Sequence, residues 1–258
     1  ILHGNLGRTD LAIADFELVL HRDPNHLMAY QHLALTYAAL GAHQKGIQEL
    51  DRGLNANPKS VMLLVNKGGI YHSMGKTEAA FKAYRQAVQV DPDDPQVYRA
   101  MGFMAAEIDS LRVAQQAWER SLELNPSDLE VQNALAKFYF IRGEFDAALQ
   151  AYQNLLRLAP KLGQIRFALG QIYQRKGEFE RAKKEYRACI ELEPDWVVPY
   201  KSLGLLYVEE EAIDSALFTY KKALDLDPKD ASIHNNIGFV YAYRGELDLA
   251  KVAYQKAI

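Results

Sequence analysis

SLELNP, residues 121–126, decides the fold, because its cadence returns at a fixed interval along the whole chain. The same place is filled by VLHRDP (19–24), GLNANP (53–58), AVQVDP (87–92), LLRLAP (155–160), CIELEP (189–194) and ALDLDP (223–228). The closing prolines, Pro24, Pro58, Pro92, Pro126, Pro160, Pro194 and Pro228, stand 34 residues apart without a break. Proline has no backbone N–H, and its ring disfavours helix at the residue before it. Each mark therefore ends one helix and sets where the next begins.

Working outward from these marks, the full units are 27–60, 61–94, 95–128, 129–162, 163–196 and 197–230, with partial units at 1–26 and 231–258. The partial units begin and stop inside helical patterns, so the chain reads as one array, 1–258, cut from a longer one. Within unit 129–162, Val131, Leu135, Phe138 and Tyr139 recur at helical spacing, and Gly143 closes that helix. A second helix follows through Ala147, Ala148, Tyr152, Leu155 and Leu156, with Asp146 placed as an acceptor at its N-terminus. The motif G-[ER]-x-[DE] opens the second helix also at Gly7, Gly177 and Gly245. Ser60, Asp94, Asp128 and Asp230 read as N-caps of first helices, and Pro95 suits a first helical position. No β-rich segment competes, so the fold class is all-α.

The columns carry a resemblance. One holds Gly68, Gly102, Gly170, Gly204 and Gly238, with Ala34 and Ala136. A second is Tyr at 37, 71, 139, 173, 207 and 241, with Ala105 the exception. A third is Ala at 12, 80, 114, 148, 182, 216 and 250, with Gly46 the exception. A fourth is Phe16, Tyr84, Trp118, Tyr152, Tyr186, Tyr220 and Tyr254, with Leu50 the exception. Small residue, aromatic, small residue, aromatic, proline over 34 residues resembles the tetratricopeptide repeat family along the whole chain. Three departures stand out. Ala105 with Trp118 is either a volume swap in one packing layer or a locally weakened repeat. Gly46 and Gly53 interrupt a second helix, and Asp109 and Glu211 replace turn glycines.

Net charge is −3, from 30 basic and 33 acidic residues without long single-sign runs, which gives no footing for generic nucleic-acid or anionic-membrane binding. No run reaches the roughly 18 apolar residues of a membrane span, so direct membrane insertion is not expected. A single cysteine excludes an internal disulfide framework, and such a chain suits cytoplasm slightly better than periplasm. His21, His26, His43 and His72 have no metal-ligand spacing and read as turn or surface histidines; Cys189 falls in a packing column. No catalytic constellation and no cofactor motif appears, so the chain is not expected to be an enzyme.

Function then falls to a surface. The resemblance implies a right-handed superhelix whose first helices line a concave groove that holds a peptide or partner segment. Mapped by register, that groove would be lined by Arg99, Phe103, Asn133, Lys137, Phe140, Phe167, Gln171, Arg175, Lys201 and Asn236. Four cations among aromatics suit an extended peptide with apolar and acidic residues. The competing reading is that the apolar residues pack on neighbouring helices and the charges solvate the surface. A carboxylate clamp of the kind some relatives carry is matched only at Lys201 and Asn236, and an asparagine ladder only at Asn66 and Asn236. The expected role is an interaction scaffold. The alternatives are the recognition arm of a larger enzyme, such as a glycosyltransferase, and an assembly factor for an envelope or secretion complex. The last segment, KVAYQKAI (251–258), is expected to expose apolar side chains and to permit self-association through an uncapped end.

Overall fold

The computed structural model describes residues 9–258, and all regular structure among them is α-helix. After α1 (Thr9–Arg22), helices alternate in two lengths. First helices are α2 (Leu27–Ala39), α4 (Val61–Ser73), α6 (Pro95–Glu107), α8 (Leu129–Ile141), α10 (Gly163–Arg175), α12 (Val197–Glu209) and α14 (Ala231–Tyr243). Second helices are α3 (His43–Ala56), α5 (Thr77–Val90), α7 (Leu111–Leu124), α9 (Phe145–Leu158), α11 (Phe179–Leu192), α13 (Ile213–Leu226) and α15 (Leu247–Lys256). First helices start 34 residues apart, as the proline interval requires. The chain forms two compact units, 1–131 and 132–258, with the boundary inside α8. The motif at Gly7 lies outside the described residues.

The turns show why the mark is a polar residue followed by proline. The residue before each of Pro58, Pro92, Pro126, Pro160, Pro194 and Pro228 is non-helical, with φ from −132° at Asp227 to −141° at Asp91 and ψ from 70° to 102°. Where that residue is Asp or Asn, its side chain accepts from the backbone N–H two residues on. Asp23 accepts from Asn25, Asn57 from Lys59, Asp91 from Asp93, Asn125 from Ser127 and Asp227 from Lys229, at 3.0–3.3 Å. A second lock follows in the next helix. The hydroxyls of Tyr30, Tyr98 and Tyr200 donate to the carbonyls of Pro24, Pro92 and Pro194, and His234 Nε2 lies 3.0 Å from the Pro228 carbonyl.

First-helix caps follow the sequence reading. The Ser60 hydroxyl accepts from Leu63 N, and Asp94, Asp128 and Asp230 accept from the N–H groups of their first turns. His26 also caps, through Nδ1, which accepts from Ala29 N at 3.2 Å. Second helices differ. Glu144 takes the cap position of α9 without a side-chain bond, and Asp146 in the first turn pairs with Lys176 of the next repeat. Arg244 and Asp214 repeat that arrangement two units on, at 2.9 Å. In α9 and α13 the first turn thus faces a cation from the following repeat.

The core is built where the columns meet. Ala12, Ala80, Ala114, Ala148, Ala182 and Ala216 are fully buried. The rings of Tyr84, Trp118, Tyr186, Tyr220 and Tyr254 lie on Gly68, Gly102, Gly170, Gly204 and Gly238, within 3.0 Å of where a Cβ would stand. Trp118 occupies the same station as the tyrosines, edge-on to Phe103 at 5.5 Å, and Ala105 is fully buried beside this layer. Unit 27–60 solves the same contact differently. Leu50 replaces the aromatic opposite Ala34, and Gly46 lets the helices close until its absent Cβ would be 2.7 Å from the Ala34 carbonyl oxygen. Gly53 likewise makes room for Tyr30 and Leu63. In α15 Ala253 is buried by the chain itself, whereas Val252 and Tyr254 keep part of their surface exposed.

Asp109 and Glu211 hold the left-handed conformation of the glycines they replace, at φ 58° and 59°. A Cβ is penalised there, and glycine is not. Glu211→Gly is therefore expected to stabilise the unit by about 0.5 kcal/mol, the relief of strain being partly offset by a more flexible unfolded chain. Ala148→Leu is expected to overpack its contact and cost about 1–3 kcal/mol. Urea midpoints of the two variants and the parent check both. An unshifted midpoint in the Ala148→Leu variant would contradict the burial of that column.

Candidate functional site

Each residue of the expected groove sits on a first helix, and the structure divides the set by what each side chain is already doing. Arg99 is committed. Its guanidinium pairs with Asp128 through Nε at 3.3 Å and with Glu130 through Nη2, and it lies over the Phe103 ring at 5.7 Å. Lys201 is committed too, with Nζ 2.8 Å from Asp230 Oδ2 and 3.0 Å from Ser232 Oγ. Lys137 on α8 and Arg175 on α10 are exposed, and neither forms an ion pair among the described residues. Asn133, Gln171 and Asn236 are half-buried.

The aromatics divide in the same way. Phe103 rests on Trp118. Phe140 meets Phe145 of its own repeat at 6.1 Å. Phe167 lies between Tyr186, at 5.6 Å, and Trp196, at 4.8 Å. These three rings join a first helix to its neighbours and present only part of their surface. Four exposed apolar side chains on first helices of the second unit fall at two register positions, one of them that of Phe103. Leu205 and Phe239 share the register of Lys137 and Gln171, and Ile141 and Tyr243 share that of Arg175 and Glu209. Ile141 is 83% exposed and Tyr243 56%, on helices whose inward faces are fully packed. Column position already pointed to them. Their exposure relative to the half-buried phenylalanines follows from helix pairing, which one sequence does not display.

Asp230 is the most strongly perturbed carboxylate. The Lys201 ammonium, then the Ser232 hydroxyl and two first-turn N–H groups, hold it well below the usual carboxylate range. Burial pushes the Tyr84, Tyr152 and Tyr220 hydroxyls up to about 12, and it pushes the Cys189 thiol, with help from Glu193, to about 11. Those groups are neutral at physiological pH and belong to the core. Lys183, almost fully buried, is pinned between Glu180 and Glu210 at 2.5 Å each. Among the described residues no three His, Cys, Asp or Glu side chains come together as a metal site. No described helix is long and apolar enough to cross a membrane.

Because the folded-state pKa of Asp230 is depressed, its contribution to stability is present above the unfolded carboxylate value of about 3.9 and is lost as pH falls below it. The stability gap between the parent and Asp230→Asn is expected to be widest at pH 6–7 and to narrow below about pH 4. Urea titrations from pH 7 to pH 3 measure it, and a gap independent of pH would refute the ion-paired cap.

A family model described as TPR repeat matches residues 68–106, 136–177 and 204–243. Two described as tetratricopeptide repeat match 163–195 with 231–258, and 1–61. No curated protein sequence matches the chain. Among solved structures, the C-terminal part of a TPR repeat-containing protein from Cytophaga hutchinsonii aligns with a TM-score of 0.77 at 18% identity, over 92% of this chain and 97% of that one. MamA aligns at 0.59 and 23% identity, over 63% and 89%. YrrB, described as a TPR protein with an unusual peptide-binding site, aligns at 0.57 and 21% identity, over 68% and 91%. At these identities the likeness is one of fold.

Proposed function

The chain belongs to the tetratricopeptide repeat family, and from that premise we propose that 1–258 is one array serving as a protein–protein interaction scaffold, with a first-helix surface that takes an extended partner segment. The observation that carries this reading is the pairing of unburied apolar side chains with uncommitted cations at matching register. Ile141, Leu205, Phe239 and Tyr243 are exposed where a solvated helix would carry polar residues, and Lys137 and Arg175 stand among them. Exposed apolar side chains that recur at one register on successive first helices are candidates for an interaction surface. Burial of those side chains would supply most of the affinity, and the two cations would select an acidic segment and set its orientation and on-rate. Arg99 and Lys201 play a different part in this reading. They hold the starts of the following first helices through Asp128 and Asp230. The peptide-binding description of YrrB is consistent with the scaffold role.

The test separates the uncommitted cations from the committed ones. Lys137→Glu with Arg175→Glu is expected to leave the far-ultraviolet helical signal and urea midpoint nearly unchanged, since exposed charges contribute little to stability. It is expected to weaken, by at least tenfold (about 1.4 kcal/mol), acidic–apolar peptides selected from a random 12-residue library on the parent chain. Parent affinity should fall as salt rises. Lys82→Glu with Lys184→Glu, exposed on second helices, is the control; Lys183 is unsuitable because it is buried and doubly paired. If the control pair abolishes binding while the first pair has no effect, the surface assignment is wrong.

A further inference from the structure

A depression in the second unit lies away from the expected groove. It opens between the second helices α11 and α13, is floored by Tyr200, Leu203 and Tyr207 of α12, and has a volume of about 530 Å³. Phe218 forms one wall and is 65% exposed. Its register position is filled elsewhere by Ala14, Gln48, Lys82, Gln116, Gln150, Lys184 and Val252, so an aromatic there is peculiar to this repeat and is not required for repeat packing. Arg187 stands on the opposite helix. Its guanidinium lies over the Tyr207 ring at 5.8 Å and donates one Nη2 bond to the Tyr207 hydroxyl. It forms no ion pair among the described residues, which leaves most of its five N–H groups for solvent or a ligand. Lys222 sits over Phe218 at 5.8 Å, and its one carboxylate neighbour, Asp225, is 3.9 Å away, beyond hydrogen-bond range. Of the acids in the lining, Asp214 is already taken by Arg244 at 2.9 Å, and only Glu191 remains to oppose Arg187 and Lys222.

We propose that this depression between α11 and α13 is a second docking site, separate from the first-helix surface, for a partner segment that inserts an apolar side chain against Phe218 and sets a carboxylate on Arg187. An exposed aromatic beside an uncommitted arginine at the mouth of an apolar hollow is the composition of interface hot spots. Arginine gives a carboxylate a bidentate seat that lysine does not. The volume accepts two or three side chains of an inserted segment, within the range of ligand pockets. The charge balance at the rim selects an acidic occupant over a basic one.

The experiment pans a random 12-residue displayed peptide library on the parent chain and counter-selects on Phe218→Gln, the residue that three other repeats carry at this position. Circular dichroism and the urea midpoint establish that Phe218→Gln and Arg187→Gln fold as the parent does. The expected result is a set of peptides with a Leu or aromatic residue next to Asp or Glu. Their affinity, read by fluorescence anisotropy, drops at least tenfold in each single variant and is unchanged in Lys137→Glu/Arg175→Glu. That last arm keeps this site distinct from the first-helix surface, so either assignment can fail alone. Three outcomes overturn the proposal: no peptide dependent on Phe218; selected peptides that are basic or ignore Arg187; or a dimer in sedimentation that Phe218→Gln dissolves, which would make the face a self-interface.

Discussion

In five of the seven described helix pairs, an aromatic ring from the second helix packs directly against a glycine of the first. Tyr84 on Gly68, Trp118 on Gly102, Tyr186 on Gly170, Tyr220 on Gly204 and Tyr254 on Gly238 are one contact repeated five times. A ring brings a large apolar area, and it delivers that area only if the partner backbone comes close. Glycine costs helix propensity, about 1 kcal/mol, and the burial of a tyrosine exceeds it. The rest of the pair follows from this approach. The alanine column must be small because the backbones are near, and the turn must be short because the helix ends are near.

The approach also explains how a departure in one column is absorbed in another. Where Leu50 replaces the ring, Ala34 can keep its Cβ, and the loss of aromatic volume is met by Gly46 drawing the backbones together. In the unit where Ala105 stands for a tyrosine, Trp118 takes the ring position on Gly102. In unit 27–60 the gap is closed by backbone approach and not by side-chain volume. At the turns no such exchange exists, because the constraint is on a dihedral. Asp109 and Glu211 simply adopt the left-handed conformation and bear its cost.

Charge divides along the same line between structure and surface. Arg99, Lys176, Lys183, Lys201 and Arg244 are each held by acids of an adjoining segment and serve to fix one repeat against the next. Lys137, Arg175 and Arg187 have no such acid among the described residues; the first two share register with exposed apolar side chains, and Arg187 shares a depression with Phe218. An uncommitted cation beside uncovered carbon is what an interaction surface needs: area for affinity and a charge for selection.

The amino-acid sequence by itself determined the all-α class, the 34-residue period, the starts of the first helices and their caps at Ser60, Asp94, Asp128 and Asp230. These are local matters: proline lacks an N–H, Asp and Asn close turns on their own backbone, and a helix start needs an acceptor within three residues. Tertiary structure decided which members of a column are available. Register alone placed Arg99 and Lys137 alike, yet one is consumed by Asp128 and Glu130 while the other faces solvent. Register grouped Phe140 and Phe167 with the groove, whereas their rings are spent on Phe145, Tyr186 and Trp196. Asp146 looked like a helix acceptor and instead reaches a lysine 30 residues on. In each case the partner comes from another element, at a distance along the chain that periodicity does not encode. Whether a side chain is buried, paired or free is therefore settled only when the helices meet.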